Sequence, residues 1–151
     1  MPYRKELAYG DIRGFSCSYR YWKNDSAHED SPMLHGYALS FAFIFESEDK
    51  AVCQEYIETK TTWIKNYVEE IFRNTVIVAN DDPLVLDFEA LEKAGACDIR
   101  FVDRVGASAF AKIMFEDMAP TVLDMTENKV RLRTVKVREN GYYSASFDDL
   151  T

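Results

Sequence analysis

The 151-residue chain has two histidines, and one of them, His35, stands where an alternating run begins. In MLHGYALSF, Met33 to Phe41, His35 and Tyr37 are two residues apart, and a strand places such residues on one face. Two side chains side by side at the mouth of a strand are suited to holding one metal ion. An imidazole is a ready metal ligand, whereas a phenol, with an ordinary pKa of about 10, is a poor one at neutral pH. The other histidine, His28, lies in the polar stretch KNDSAHEDSP, Lys23 to Pro32, where a solvated side chain is the ordinary outcome. Cys17, Cys53 and Cys97 have no short metal-ligand spacing, and an odd number fits reduced, buried thiols better than a disulfide framework.

The elements that must position these residues are legible in the periodicity. Arg13 to Trp22 alternates bulky and small residues, as a half-buried strand does. After the Lys23 to Pro32 loop the alternation resumes with His35, Tyr37, Leu39, Phe41, Phe43 and Phe45 on one face, so the two segments are expected to pair antiparallel. Thr61 to Phe72 carries an apolar stripe at helical spacing. Thr75 to Ala79 is a β-branched run ended by Asn80-Asp81-Asp82-Pro83, Asp87 to Ala94 reads as a short helix stopped by Gly95, and Asp98 to Val102 as a short strand. A long amphipathic helix starts at Ser108 and is bent or ended by Pro120 before Thr126. Lys129 to Arg138 and Tyr142 to Phe147 flank Glu139-Asn140-Gly141, a strong hairpin signal.

With 47% hydrophobic residues the chain supports one compact α+β domain, residues 1–151. A net charge of −8 argues against an extended nucleic-acid surface. The basic cluster Lys129, Arg131, Arg133, Lys136 and Arg138 should divide between the two faces of a strand, as a solvated strand at a subunit contact. No apolar run suits a membrane span or a secretory signal, so a cytoplasmic protein without membrane partners is expected.

The stretches FSCSYRY, MLHGYALSF, FRNTVIVANDDP, VGASAFAKIMFE and VKVRENGYYSASF, in that order, resemble the tunnelling fold of the 6-pyruvoyltetrahydropterin and 6-carboxytetrahydropterin synthases. They span about Phe15 to Phe147, with the weakest match between Ser47 and Trp63, and are most similar to the longer bacterial and phage 6-carboxytetrahydropterin synthases of the queuosine (deazaguanine) pathway. The resemblance implies an antiparallel sheet with helices packed on one face, and sheets of several copies joining into a homo-oligomeric barrel of trimeric or pentameric rings, sometimes stacked in pairs. It also implies a zinc site of three histidines, one on the first strand and two opening the second, where a Lewis-acidic ion polarises substrate hydroxyls.

This sequence departs from that pattern. Of the implied ligands only His35 remains, with Tyr19 and Tyr37 at the other two positions. The family's cysteine falls near Ser31, its aspartate-histidine pair on Arg73 and Asn74, and the cysteine and glutamate at the start of the long helix on Ala107 and Ser108. Serine has no comparable acidity, asparagine is no general base and arginine does not deprotonate. Glu139 matches the glutamate that anchors a pterin ring through two parallel hydrogen bonds.

Three readings follow. The first is a degenerate, non-catalytic family member re-used as an oligomeric scaffold or binding protein, with no cofactor. The second is an active lyase with a rearranged site drawn from His35, His28, Tyr19, Tyr37 or a neighbouring subunit's cysteine, with zinc as cofactor. The third is a module that holds a pterin or purine through Glu139 without transforming it.

Overall fold

A computed structural model describes residues 2–9, 15–22, 32–141 and 143–149. The long alternating run becomes the central strand, because its odd positions from Tyr37 to Phe45 are large and apolar and its even positions from Gly36 to Ala42 small. This strand, β3 (His35–Ser47), follows β1 (Tyr3–Tyr9) and β2 (Phe15–Tyr19). Both pair antiparallel with the same edge of β3, β2 along His35 to Leu39 and β1 along Phe41 to Ser47. Helices α1 (Lys50–Thr59) and α2 (Thr62–Phe72) lead to β4 (Thr75–Ala79), and α3 (Val85–Lys93) to β5 (Ile99–Val102). The chain closes with α4 (Ala107–Met125), β6 (Arg131–Glu139) and β7 (Tyr143–Asp148).

The sheet runs β5-β4-β2-β3-β6-β7, with β1 on β3. The expected antiparallel pairs form, and β4 and β5 extend the sheet in parallel, so it is mixed. Helices cover the odd face of β3: Phe41 meets Phe72 of α2 at 4.8 Å between ring centroids, Phe72 meets Phe110 of α4 at 5.0 Å, and Phe45 meets Tyr56 of α1 at 5.8 Å. Phe41, Phe43, Phe45, Phe72 and Phe110 are fully buried.

Two elements were not anticipated, β1 and α1. Pro120 lies inside α4, which continues to Met125. The hairpin forms with Glu139 opposite Tyr143, and Asn140 and Gly141 both have positive φ. Among the described residues no helix is long and apolar enough to cross a membrane.

The basic cluster does not divide between two faces. The β3–β6 register shifts between Ile44 and Phe45, so that Leu132 and Thr134 face consecutive residues of β3 and Arg133 is the extra one. This bulge resets the alternation. Arg131 lies opposite Glu46, Lys136 opposite Ala42 and Arg138 opposite Ser40, all on the face away from the helices, and Arg133 approaches Glu46 at 4.0 Å.

Candidate functional site

The residues to which the sequence directed attention gather where β2, the start of β3 and the end of β6 meet the first turn of α4. Tyr19 is the direct partner of His35, and Cys17 of Tyr37. His35 is exposed at the strand mouth, whereas Tyr19 and Tyr37 are buried. Their rings stack face to face, 4.1 Å between centroids and 8° from parallel. Phe110 meets Tyr19 edge-on at 5.2 Å, and Tyr21 does so at 5.8 Å. Burial first, and then the nearby Glu139 carboxylate, push the Tyr19 phenol well above its ordinary pKa. Its hydroxyl makes no hydrogen bond among the described residues.

Glu139 is 2% exposed. Its Oε1 accepts from the Tyr21 hydroxyl at 2.9 Å and from the Ala107 backbone N–H at 2.9 Å. Ala107 is the first residue of α4, so the carboxylate sits at the positive end of a 19-residue helix and takes one of its otherwise unpartnered amides. Tyr21 is held up by burial and by Glu139, so it stays a neutral donor. Gly106 makes the arrangement possible: its φ is +112°, and an added Cβ would come within 2.6 Å of the Tyr21 hydroxyl and 2.8 Å of its ring. Beside this lock lies a groove of about 610 Å³, lined by Tyr21, Gly106, Ser108, Lys112, Tyr143 and their neighbours.

Two further candidates stand elsewhere. Arg73 and Asn74 form the turn from α2 to β4. The Arg73 guanidinium pairs with Glu69 at 3.2 Å and lies 5.9 Å from the Phe15 ring centroid. Asn74 has φ +57°, a left-handed conformation asparagine tolerates, and donates its N–H to Ser16 O at 2.6 Å. Ser108 is exposed in the first turn of α4. His28 and Ser31 lie outside the described residues.

Sequence reasoning missed Tyr21 and the Ala107 amide. Tyr21 was discoverable from the alternation that carries Phe15, Cys17 and Tyr19 to the core, since it is the next residue of that face. The Ala107 amide has no sequence signal, because backbone donors are supplied by every residue but proline.

The residues at the implied zinc positions do not fit that ion. Two buried phenols are packed ring against ring, burial favours the protonated form of Tyr19, and among the described residues no group of three His, Cys, Asp or Glu side chains is placed to hold a metal.

No family model and no curated protein matches this sequence. Solved structures match along nearly its whole length. An uncharacterized protein from Wolinella succinogenes superposes with a TM-score of 0.75 at 16% identity, covering 99% of each chain. The 6-pyruvoyl tetrahydropterin synthases of Plasmodium vivax and Plasmodium falciparum superpose with TM-scores of 0.58 and 0.52 at 9% and 10% identity. Each covers 97% of this chain and 98% of its own. The strand order, the helix-covered face and these superpositions together show that the chain has the tunnelling fold of the 6-pyruvoyl tetrahydropterin synthase type.

Proposed function

We propose that this chain is a non-catalytic tunnelling-fold protein that assembles with copies of itself and works as a scaffold. The observation that carries the reading is the Tyr19–Tyr37 stack, because it turns two of three implied ligand positions into hydrophobic core. A phenol binds a metal as phenolate, and burial at Tyr19 opposes that form. Asn74 serves a left-handed turn, and Arg73 lies over the buried Phe15 ring. β1 and β7 each pair with one neighbour among the described residues, which supports joining to further copies. Metal analysis of the purified protein, with an assay of dihydroneopterin triphosphate turnover, tests the reading. No stoichiometric zinc and no turnover is the expected result; one zinc per chain with turnover lost in His35→Ala overturns it in favour of a rearranged active site.

A second reading, a module holding a pterin or purine, is favoured by the groove of about 610 Å³ beside Glu139. A carboxylate oxygen has two lone pairs, and both on Oε1 are engaged by Tyr21 and Ala107. A ring with two parallel donors must displace one of them. Pterins and guanine are therefore expected to leave the melting temperature of the wild type unchanged, and a shift that Glu139→Gln abolishes establishes the binding module instead.

A further inference from the structure

We propose that the open face of the sheet binds an oligophosphate, a small molecule bearing two or more linked phosphates, with Arg138 as its main ligand and Lys136, Ser40 and Ser144 beside it. The face holds a groove of about 620 Å³ lined by the small residues Ala38, Ser40 and Ala42 and by Lys136, Arg138 and Ser144, with one carboxylate, Glu6, in its lining. Small floor residues leave the space, and the bulge in β6 puts the cations on this side of the sheet.

Most cations of the face are already answered by carboxylates. Arg4 and Arg131 lie 2.7 and 3.0 Å from the two oxygens of Glu46, and Arg131 also reaches Asp149 at 3.5 Å. Lys136 is held only loosely by Glu6, at 3.9 Å with both side chains half exposed. Arg138 pairs with no carboxylate among the described residues. In a chain of net charge −8, that uncompensated guanidinium inside a groove singles the position out.

The register supplies the donors around it. Ser40, Arg138 and Ser144 are directly opposite one another on three adjacent strands. Side chains so placed have Cβ atoms about 4.5–5.5 Å apart, so two hydroxyls flank one guanidinium. A guanidinium presents two parallel N–H bonds to a phosphate, and the hydroxyls donate to its remaining oxygens. Lys136 stands two residues along the same strand face, about 6.5 Å away, where it meets a second, linked phosphate. Carboxylate monoanions satisfy only the first of these centres.

Calorimetric titration of the whole protein with inorganic triphosphate, at fixed ionic strength, tests the proposal. The wild type is expected to bind saturably, Arg138→Gln about tenfold or more weakly, and Arg138→Lys between the two, because the charge is kept and the fork lost. Lys93→Gln, an exposed charge on α3, should match the wild type. If Arg138→Gln does not fold, Lys136→Gln takes its place, with several-fold weaker binding expected. No saturable binding by the wild type, or wild-type binding by the variant that folds, overturns the proposal. A single-stranded oligonucleotide that displaces triphosphate and binds more tightly overturns the small-molecule assignment.

Discussion

Tyr19 places a hydroxyl in the core where it finds no hydrogen-bond partner among the described residues. A buried polar group without a partner costs about 1–3 kcal/mol, whereas the ring itself contributes to an aromatic cluster through Tyr37 and Phe110. Tyr19→Phe keeps the ring and removes the hydroxyl. It is expected to raise stability by about 1 kcal/mol in chemical denaturation, and a loss of that size would show that the hydroxyl is engaged. Tyr37→Ala, which removes a stacked ring, should cost about 3 kcal/mol or more. The thiols make a second residue-scale test. Burial, opposed only in part by the hydroxyl of Thr75, pushes Cys17 up to about 12, and Cys53 is likewise raised by burial. Since the thiolate is the reactive form, a disulfide reagent at pH 8 should modify about one thiol per native chain, the half-buried Cys97, and all three in denaturant. Rapid reaction of Cys17 in the native protein would contradict its placement against β4.

Elements whose hydrophobic period was unbroken were readable from the sequence, and those that depend on distant partners were not. β3, α2 and β4 emerge with their expected boundaries to within two residues because each carries a strong alternation or stripe of its own. β1 escaped notice because YRKELAY carries charges at its centre and stays half exposed along the edge of β3. α1 buries only Cys53, Tyr56 and Ile57, too thin a stripe to stand out. The bulge in β6 is set by pairing with β3, some ninety residues away along the chain, so local alternation separated Arg131 from Lys136 and Arg138, whose face it shares. The Tyr21–Glu139 contact joins residues 118 apart and was invisible for the same reason. The join of β1, β3 and β6 has a measurable pH signature. At Glu46, desolvation would raise the carboxyl, but hydrogen bonds from Arg4 and Arg131 outweigh it and hold it below its ordinary value of 4.5. A carboxyl depressed in the folded state stabilises above the unfolded value, and that contribution disappears as pH falls through the folded one. Glu46→Gln should therefore cost about 0.5–1 kcal/mol at pH 7, and the difference from the wild type should shrink as the pH is lowered below about 4.5. An unchanged difference at pH 3 would place the cost in packing rather than charge.

At the scale of the molecule, the sheet ends in strands that each have one neighbour among the described residues. β7 pairs only with β6, and β1 only with β3, so a row of backbone donors and acceptors faces outward on each. The two are matched in length, seven residues in β1 and six in β7. Pairing β7 of one copy with β1 of the next is a head-to-tail contact, and such contacts either close into a ring or grow without limit. A twisted sheet carried around in this way closes as a barrel, which joins these two edges and leaves β5, paired with β4, at the sheet's other end. The helices lie on the face opposite the basic one, so closure with helices outside lines the bore with Arg138 and Lys136 of every copy. Like charges around a bore repel, and the repulsion is relieved by salt or by a bound polyanion. Sedimentation velocity is therefore expected to show one closed species, unaltered in size across a wide range of protein concentration and further stabilised against heat by triphosphate. A monodisperse monomer, or a species whose size grows steadily with concentration, would mean that the edges do not meet in this way.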